Sequence, residues 1–318
     1  MPQLTIRPLA GGETDLFLSY PFPRVPGIWE TRRDYEALLA KRQYRPEHTW
    51  VAIEDGVVVG RACWWCGQED ERPAALDWLE AEPGPRQVEL GTKLLLEAHK
   101  VMRNEDGRRP DYHVFLPPGW REDTTVRSWF EARRQTAENA GLELFVERHT
   151  YRWSAAKDGL PARGTRLDYR QADDAQMLAV LREILAGTLD AHDRQTIAEH
   201  GLERAAEMQL DGLKWFPSPR DWWRLAYTEA GDLAGLIIPG RNFSMPTICY
   251  IGVVPAQRGH GYVDELLAEM SWMLAELAPG EEVGADTDFA NVPMAAAFKR
   301  AGYRITEEHL VMSDAEHF

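Results

Sequence analysis

The chain has 318 residues, 44% of them apolar, and a formal net charge of −15. That length predicts two domains rather than one, and the acidic balance excludes a protein that grips a nucleic-acid backbone through a basic face. It leaves room for a cationic or amine-bearing small molecule. No apolar run reaches the roughly 18 residues of a membrane helix. The opening "MPQLTIRPLAGGETD" has no basic segment leading into an apolar core, so a cytoplasmic chain without membrane or nucleic-acid partners is expected.

In chain order, "TWVAIEDGVVVGRACWW" reads as two strands around a hairpin turn at Asp55-Gly56. Its end runs into Cys63-Trp-Trp-Cys66, which has the CxxC spacing. On a strand, positions three apart point to opposite faces, and no second cysteine pair completes a zinc site, so these are structural thiols. A strand at "AALDWLEA", a helix at "ELGTKLLLEAHKVM" and a strand at "DYHVFLP" follow. In "FEARRQTAENAGLELFVERHTYRW" a helix ends at Gly141, where a C-cap needs positive φ, and leads into a closing strand. "SAAKDGLPARGT", Ser154 to Thr165, has the composition of a boundary.

The second half repeats this order. A hairpin around Gly231-Asp232 lies in "WWRLAYTEAGDLAGLIIPG", and a strand in "TICYIGVV". In the helix "DELLAEMSWMLAEL", Leu266, Leu267, Met270, Met273, Leu274 and Leu277 form one stripe. "EVGADT" is the next strand, and "MAAAFKRAGYRITEEHLVM" a helix capped at Gly302 with its closing strand. The pattern predicts a tandem duplication of one α/β domain, a mixed sheet flanked by helices: residues 1–154, a linker at 155–165, and 166–318.

"YIGVVPAQRGHGYVDELL" places a glycine loop between strand and helix. Counted from Gly259 and Gly261, the third position of a dinucleotide fingerprint falls on Asp264, and no Gly-Lys-Ser/Thr follows. Both nucleotide readings fail, yet unpaired amides at a helix start still favour an anion, with Arg258 beside them.

Arg258-Gly259-His260-Gly261-Tyr262-Val263 resembles the acyl-CoA signature of the GNAT superfamily of N-acyltransferases, with Arg258 and Gly261 matching and Val263 in place of a small residue. "NVPMAAAFKRAGYR" is similar to that family's last helix and strand, opened by Asn291. The resemblance runs from about Thr247 to Met312, extended by the hairpin at 223–238. It implies two GNAT-like domains with mostly antiparallel sheets and acetyl-CoA as cosubstrate, its pyrophosphate on the loop from Gln257 to Val263. It assigns to the coenzyme Ile251, Val253, Val254, Arg258, Gly259, His260, Gly261, Tyr262, Val263, Asn291 and Phe298. The pantetheine arm would meet the backbone of Ile251 to Val254, where Gly252 suits a bulge or a close approach. An N–H near Val253 or Val254 would meet the oxyanion. Phe298 stands where many members carry a tyrosine acid, and otherwise reads as core. At the matching place the first half has "PGPRQVELGTKLL", without the signature. That domain is therefore expected to have a degenerate cofactor site, and either buttresses the second or closes its acceptor pocket.

For the base, Asp286 and Asp288 share one strand face, and Asp288 lies nearer the strand's C-terminal end. "LAGTLDAHDRQT" clusters Asp190, His192 and Asp193, which read as an ammonium-binding group or as plain helix caps. Trp215, Phe216, Trp222 and Trp223 read as core or pocket wall. The expected activity is transfer of an acetyl group from acetyl-CoA to the amine of a small molecule, aminoglycoside-like or amino-acid-derived, with Asp288, Asp190 and His192 as catalytic candidates and no metal. The alternative is an acyl-CoA-binding sensor or scaffold with little turnover. The expected state is a monomer, its two domains mimicking a dimer, or a homodimer.

Overall fold

The computed structural model describes residues 3–22, 25, 27–28, 34–216, 218–242 and 244–317. The chain divides into two compact units. Unit 1 comprises Met1–Glu147 and Glu308–Phe318, and unit 2 comprises Arg148–Glu307. These units do not coincide with a division at 154 and 166. Residues 148–153 belong to the second unit and the last strand from Glu308 onward to the first, because β-pairing partners are chosen in space and not along the chain.

In unit 1, β1 (Leu4–Pro8), β2 (Thr49–Glu54), β3 (Val57–Trp65) and β4 (Ala75–Ala81) pair antiparallel in sequence order. Asp55 (φ 49°) and Gly56 (φ 83°) form the tight β2–β3 turn, both in the left-handed region that such hairpins require. β5 (Asp111–Leu116) lies parallel to β4, and residues Glu308–Met312 complete the sheet against β5. Helices α1 (Thr14–Leu18) and α2 (Tyr35–Ala40) cover one face, where Phe17 and Tyr35 pack with Cys63 and Trp78. Helices α3 (Gln87–Ala98) and α4 (Thr124–Asn139) cover the other, with Leu94, Leu95 and Phe130 against Trp64, Leu76 and Tyr112. Cys63 and Trp64 thus fall in different cores, as strand alternation dictates. Cys63 and Cys66 are buried and join no disulfide. Arg61 and its cross-strand partner Glu80 form a buried ion pair; the guanidinium also donates to Phe17 O and lies among the rings of Phe17, Tyr20 and Trp78.

Strand β6 (Leu142–Trp153) follows Gly141, which at φ 87° caps α4. Its residues from Arg148 onward belong to unit 2. The expected linker opens with a short helix α5 (Ala155–Asp158) capped by Ser154, and then runs along unit 2. Trp272 Nε1 donates to Pro161 O at 2.9 Å, and Arg163 pairs with Glu269 at 2.7 Å.

Unit 2 repeats the pattern. β7 (Leu167–Arg170), β8 (Arg224–Thr228), β9 (Leu233–Arg241) and β10 (Pro246–Val253) pair antiparallel, β11 (Val283–Asp288) runs parallel to β10, and Arg148–Trp153 of β6 closes the edge of β11. Helices α6 (Asp174–Leu185) and α7 (Ala191–Trp215, kinked at Gly201) bury Met177, Leu181, Ile184, Leu210 and Leu213 on one face. Helices α8 (Tyr262–Leu277) and α9 (Val292–Arg300) cover the other. Of the α8 stripe, Leu266, Leu267, Met270 and Leu274 are buried, Met273 is half-buried and Leu277 is exposed. β12 (Arg304–Asp314) starts after Gly302 (φ 83°). Both units are mostly antiparallel sheets flanked by helices, with matching strand order. In each, the sixth strand is formed by the segment that follows the other unit's last helix. No helix among the described residues is long and apolar enough to cross a membrane.

Candidate active site

β10 and β11 are paired at one register position, Thr247 opposite Gly284, where Thr247 Oγ1 donates to Gly284 O at 3.0 Å. Beyond it the two parallel strands part. A cavity of about 750 Å³ opens there, walled by Ile251 to Val253, the glycine loop, the start of α9 and the α6–α7 connection. That volume lies in the range of small-molecule sites.

The free edge of β10 is polar. Val254 N–H donates to Ala234 O of β9 at 3.0 Å. Strand alternation then turns the amide of Val253, and that of Ile251 two residues earlier, toward the opening. The expectation for Val254 is corrected: it is buried in the α6–α7 core and does not line the cavity, and its amide is taken. The β10 bulge sits between Ile248 and Tyr250 and not at Gly252. At Gly252 a Cβ would come within 2.8 Å of Ile184, so glycine there permits the close approach of α6.

The loop ends at Gly261 (φ 75°), the N-cap of α8, and Gly259 is likewise left-handed (φ 85°). No side chain caps this helix. The amides of Tyr262 and Val263 therefore meet the cavity wall without a competing acceptor, at the positive end of the helix dipole. Arg258 is placed differently from expectation. Its guanidinium donates to Gly187 O at 2.9 Å, Ile184 O at 3.3 Å and Val253 O at 3.3 Å, so it pins the end of α6 to β10. The absence of a side chain at Gly187 makes room for this; a Cβ would lie 2.7 Å from Arg258 Nη1. His260 is exposed and off the cavity wall, and its carbonyl accepts from Arg166 at 3.0 Å. Arg166 also pairs with Glu265 of α8 and lies over the Tyr262 ring, so it braces the loop from behind.

Asn291 lines the cavity and caps α9, accepting from Met294 N at 3.3 Å. Phe298 forms wall and core at once, 1% exposed and stacked on Tyr151 with centroids 4.6 Å apart. Trp215, Phe216, Trp222 and Trp223 are not among the lining residues, and Trp223 is buried in the core.

Alongside β10, the acidic candidates converge on Arg148, the cross-strand partner of Asp288. Arg148 Nε donates to Asp288 at 2.8 Å, and Nη2 to Asp190 at 3.1 Å and to His192 Nδ1 at 2.8 Å. The second Asp288 oxygen accepts from Ala191 N at 2.6 Å. Asp288 is 2% exposed and does not line the cavity, so it clamps the start of α7 to the sheet and is not placed to meet a ligand. Asp190 caps α7, accepting from Asp193 N at 3.0 Å, and both Asp190 and His192 reach the wall. Burial, and then the charge of Arg148, lower the His192 pKa and favour the neutral ring.

Asp193, also on the wall, accepts from Thr188 Oγ1 at 2.9 Å and lies beside the Tyr250 phenol. Burial and the neighbouring Asp190 push its carboxyl up to about 6. Asp286 is exposed to the cavity but crowded by protein on its other sides; that partial desolvation raises its carboxyl, and Thr150 Oγ1, which donates to it at 2.5 Å, opposes the shift. The thiol of Cys249, at the bulge, is pushed up to about 12 by burial, which disfavours the thiolate. Among the described residues no group of three or more His, Cys, Asp or Glu is arranged to hold a metal.

Sequence reasoning missed Arg148, Tyr250 and the bracing Arg166. A signal existed for the first: Arg148 and Thr150 alternate in "ERHTYRW" as Asp286 and Asp288 do in "ADTD". Among the described residues of unit 1, a hollow between β4, α3 and α4 holds about 10 Å³, lined by Leu79, Gln87, Gly91, Arg133 and Thr136 among others, room for about one water.

No protein-family model matches the chain, and no curated protein matches its sequence. Solved structures do match its shape. A GCN5-related N-acetyltransferase from Sphaerobacter thermophilus is 14% identical over 98% of this chain and 95% of that one, with a TM-score of 0.57. A GCN5-related glucosamine N-acetyltransferase region of a fungal multi-domain GH3 beta-N-acetylglucosaminidase is 13% identical over 98% of this chain and 38% of that one, also at 0.57. The chain has the GNAT acetyltransferase fold. It carries that fold as two units of matching strand order, of which the second holds the large cavity.

Proposed function

We propose that unit 2 is an acyl-CoA-dependent N-acyltransferase, with acetyl-CoA as donor and the amine of a small molecule as acceptor. The observation that carries this reading is the parting of β10 and β11 beside an uncapped, glycine-led α8 start. A polar strand edge and a cluster of unpaired helix amides lie along one cavity, which suits a ligand with an amide-bearing arm and a phosphorylated end.

In this reading the Tyr262 and Val263 amides receive the pyrophosphate and the β10 edge at Ile251 and Val253 receives the pantetheine arm. The Val253 amide is the donor for the oxyanion that develops as nitrogen attacks the thioester. Phe298 has no proton to give, so the sulfur departs as a thiolate, within reach of a thiol's ordinary pKa. Arg258 acts by positioning, since it fixes β10 against the end of α6.

The test is acetyl-CoA binding by calorimetry, with the Gly261→Val variant beside the wild type. A β-branched residue in the left-handed region disturbs the amides that the phosphate needs. Wild-type binding that the variant weakens at least about tenfold is expected; equal affinity would sink the assignment. The alternative, a binder with little turnover, draws on Phe298, and predicts tight binding with no thiol released across a panel of amines.

A further inference from the structure

Beside the middle of β10, the cavity wall carries three carboxyl groups, Asp190, Asp193 and Asp286. The lining guanidiniums, among the described residues, are Arg148 and Arg258. Both are already engaged: Arg148 with Asp288, Asp190 and His192, and Arg258 with backbone carbonyls. No lysine is among the lining residues, and burial together with the charge of Arg148 disfavours protonation of His192. A ligand carboxylate entering here would displace an existing ion pair or lie unpaired against like charge.

Asp193 differs from its neighbours. Asp190 and Asp288 each accept from Arg148, whereas Asp193 accepts from the neutral hydroxyl of Thr188 and has the Tyr250 phenol beside it. The charged and titratable groups facing it are Asp190 from the same helix start, Tyr250 from β10, Arg148 from β6 and Asp288 from β11.

Resting on the acyltransferase reading above, we propose that the acceptor is a basic amine that carries no carboxylate or phosphate, of the diamine or amino-sugar class, and that Asp193 takes its proton. The ammonium gives one proton to the Asp193 carboxylate. The freed nitrogen pair forms the C–N bond at the thioester carbonyl, and the C–S bond breaks with its electron pair on sulfur. The second nitrogen proton passes to the thiolate, leaving an amide and free thiol, and Asp193 returns its proton to solvent. A carboxyl pushed up to about 6 stays mostly ionised at neutral pH, as a base for this step must.

The test pairs 1,5-diaminopentane with lysine, which differ by one carboxylate, and follows thiol release from acetyl-CoA. We expect the diamine to exceed lysine in kcat/KM on the order of 100-fold. With the diamine, Asp193→Asn should lower kcat by roughly 100-fold and remove the acidic limb of the pH profile, while acetyl-CoA binding is kept. Lysine used as well as the diamine would overturn the proposal, as would a variant that retains both rate and acidic limb. A wild type that binds acetyl-CoA but acetylates neither amine also overturns it. A wild type that binds no acetyl-CoA refutes the acyltransferase reading itself, so the two failures are distinguishable.

Discussion

Asp193→Asn should stabilise unit 2 even as it removes a group from the cavity. The Asp193 carboxyl moves from an ordinary 3.8 to about 6 because folding takes it out of water and sets it beside Asp190. A shift of about 2 units corresponds to about 3 kcal/mol at about 1.4 kcal/mol per unit. The group keeps some contact with solvent, which reduces this to about 1–3 kcal/mol. The sign follows from linkage: a carboxyl raised on folding binds its proton more tightly in the native state. Its ionisation penalty is present in full above about 6, shrinks as pH falls toward 3.8, and is absent below that. Asparagine is nearly isosteric and can keep the Thr188 and Tyr250 contacts, so it removes the penalty with little loss of packing. In thermal or urea unfolding at pH 7.5 the variant should exceed the wild type by about 1–3 kcal/mol, a few degrees in Tm. At pH 4.5 most of that difference should be gone. No gain at pH 7.5, or a gain that grows on acidification, would refute the reasoning.

Two further outcomes test the scaffold around the cavity. Arg258→Ala removes three bonds to carbonyls at the end of α6 and on β10. On an exposed side chain we expect a stability loss of about 1 kcal/mol and weaker acetyl-CoA binding. Arg258→Lys should restore only part of it, since one ammonium cannot span the same carbonyls; unchanged affinity in Arg258→Ala would show that the pinned geometry does not matter. Gly252→Val drives a side chain into Ile184, where even a Cβ would lie at 2.8 Å, and should cost about 1–3 kcal/mol in denaturant unfolding. The pair Gly252→Val with Ile184→Ala should recover part of that loss, and strict additivity would count against the clash.

Much of the fold was legible because it rests on local rules. Asp55-Gly56 marks its own hairpin, Gly141 and Gly302 cap their helices, and the α8 stripe names the face that meets the sheet. The glycine loop was legible for the same reason: glycine in the left-handed region and a helix start are properties of a few consecutive residues. What Arg258 does there was not, since its partners at 184 and 187 lie far away in sequence. The bulge was also out of reach, because Gly252 as a letter fits either a bulge or a close approach, and only the position of Ile184 decides.

The acidic cluster marks the boundary between the two kinds of information. The sequence by itself determined which chemistry was available: carboxylates alternating on one strand, more of them with a histidine at a helix start, and a loop that leaves amides unpaired. Tertiary structure alone decided their roles, because a carboxylate's behaviour depends on which charge stands next to it and how much water remains. Arg148 holds Asp288 as a clamp, whereas Asp193 is left with hydroxyls at the cavity wall. The exchange of closing strands follows the same logic. Local sequence says that a strand forms, but the sheet edge it completes is fixed only by what it meets.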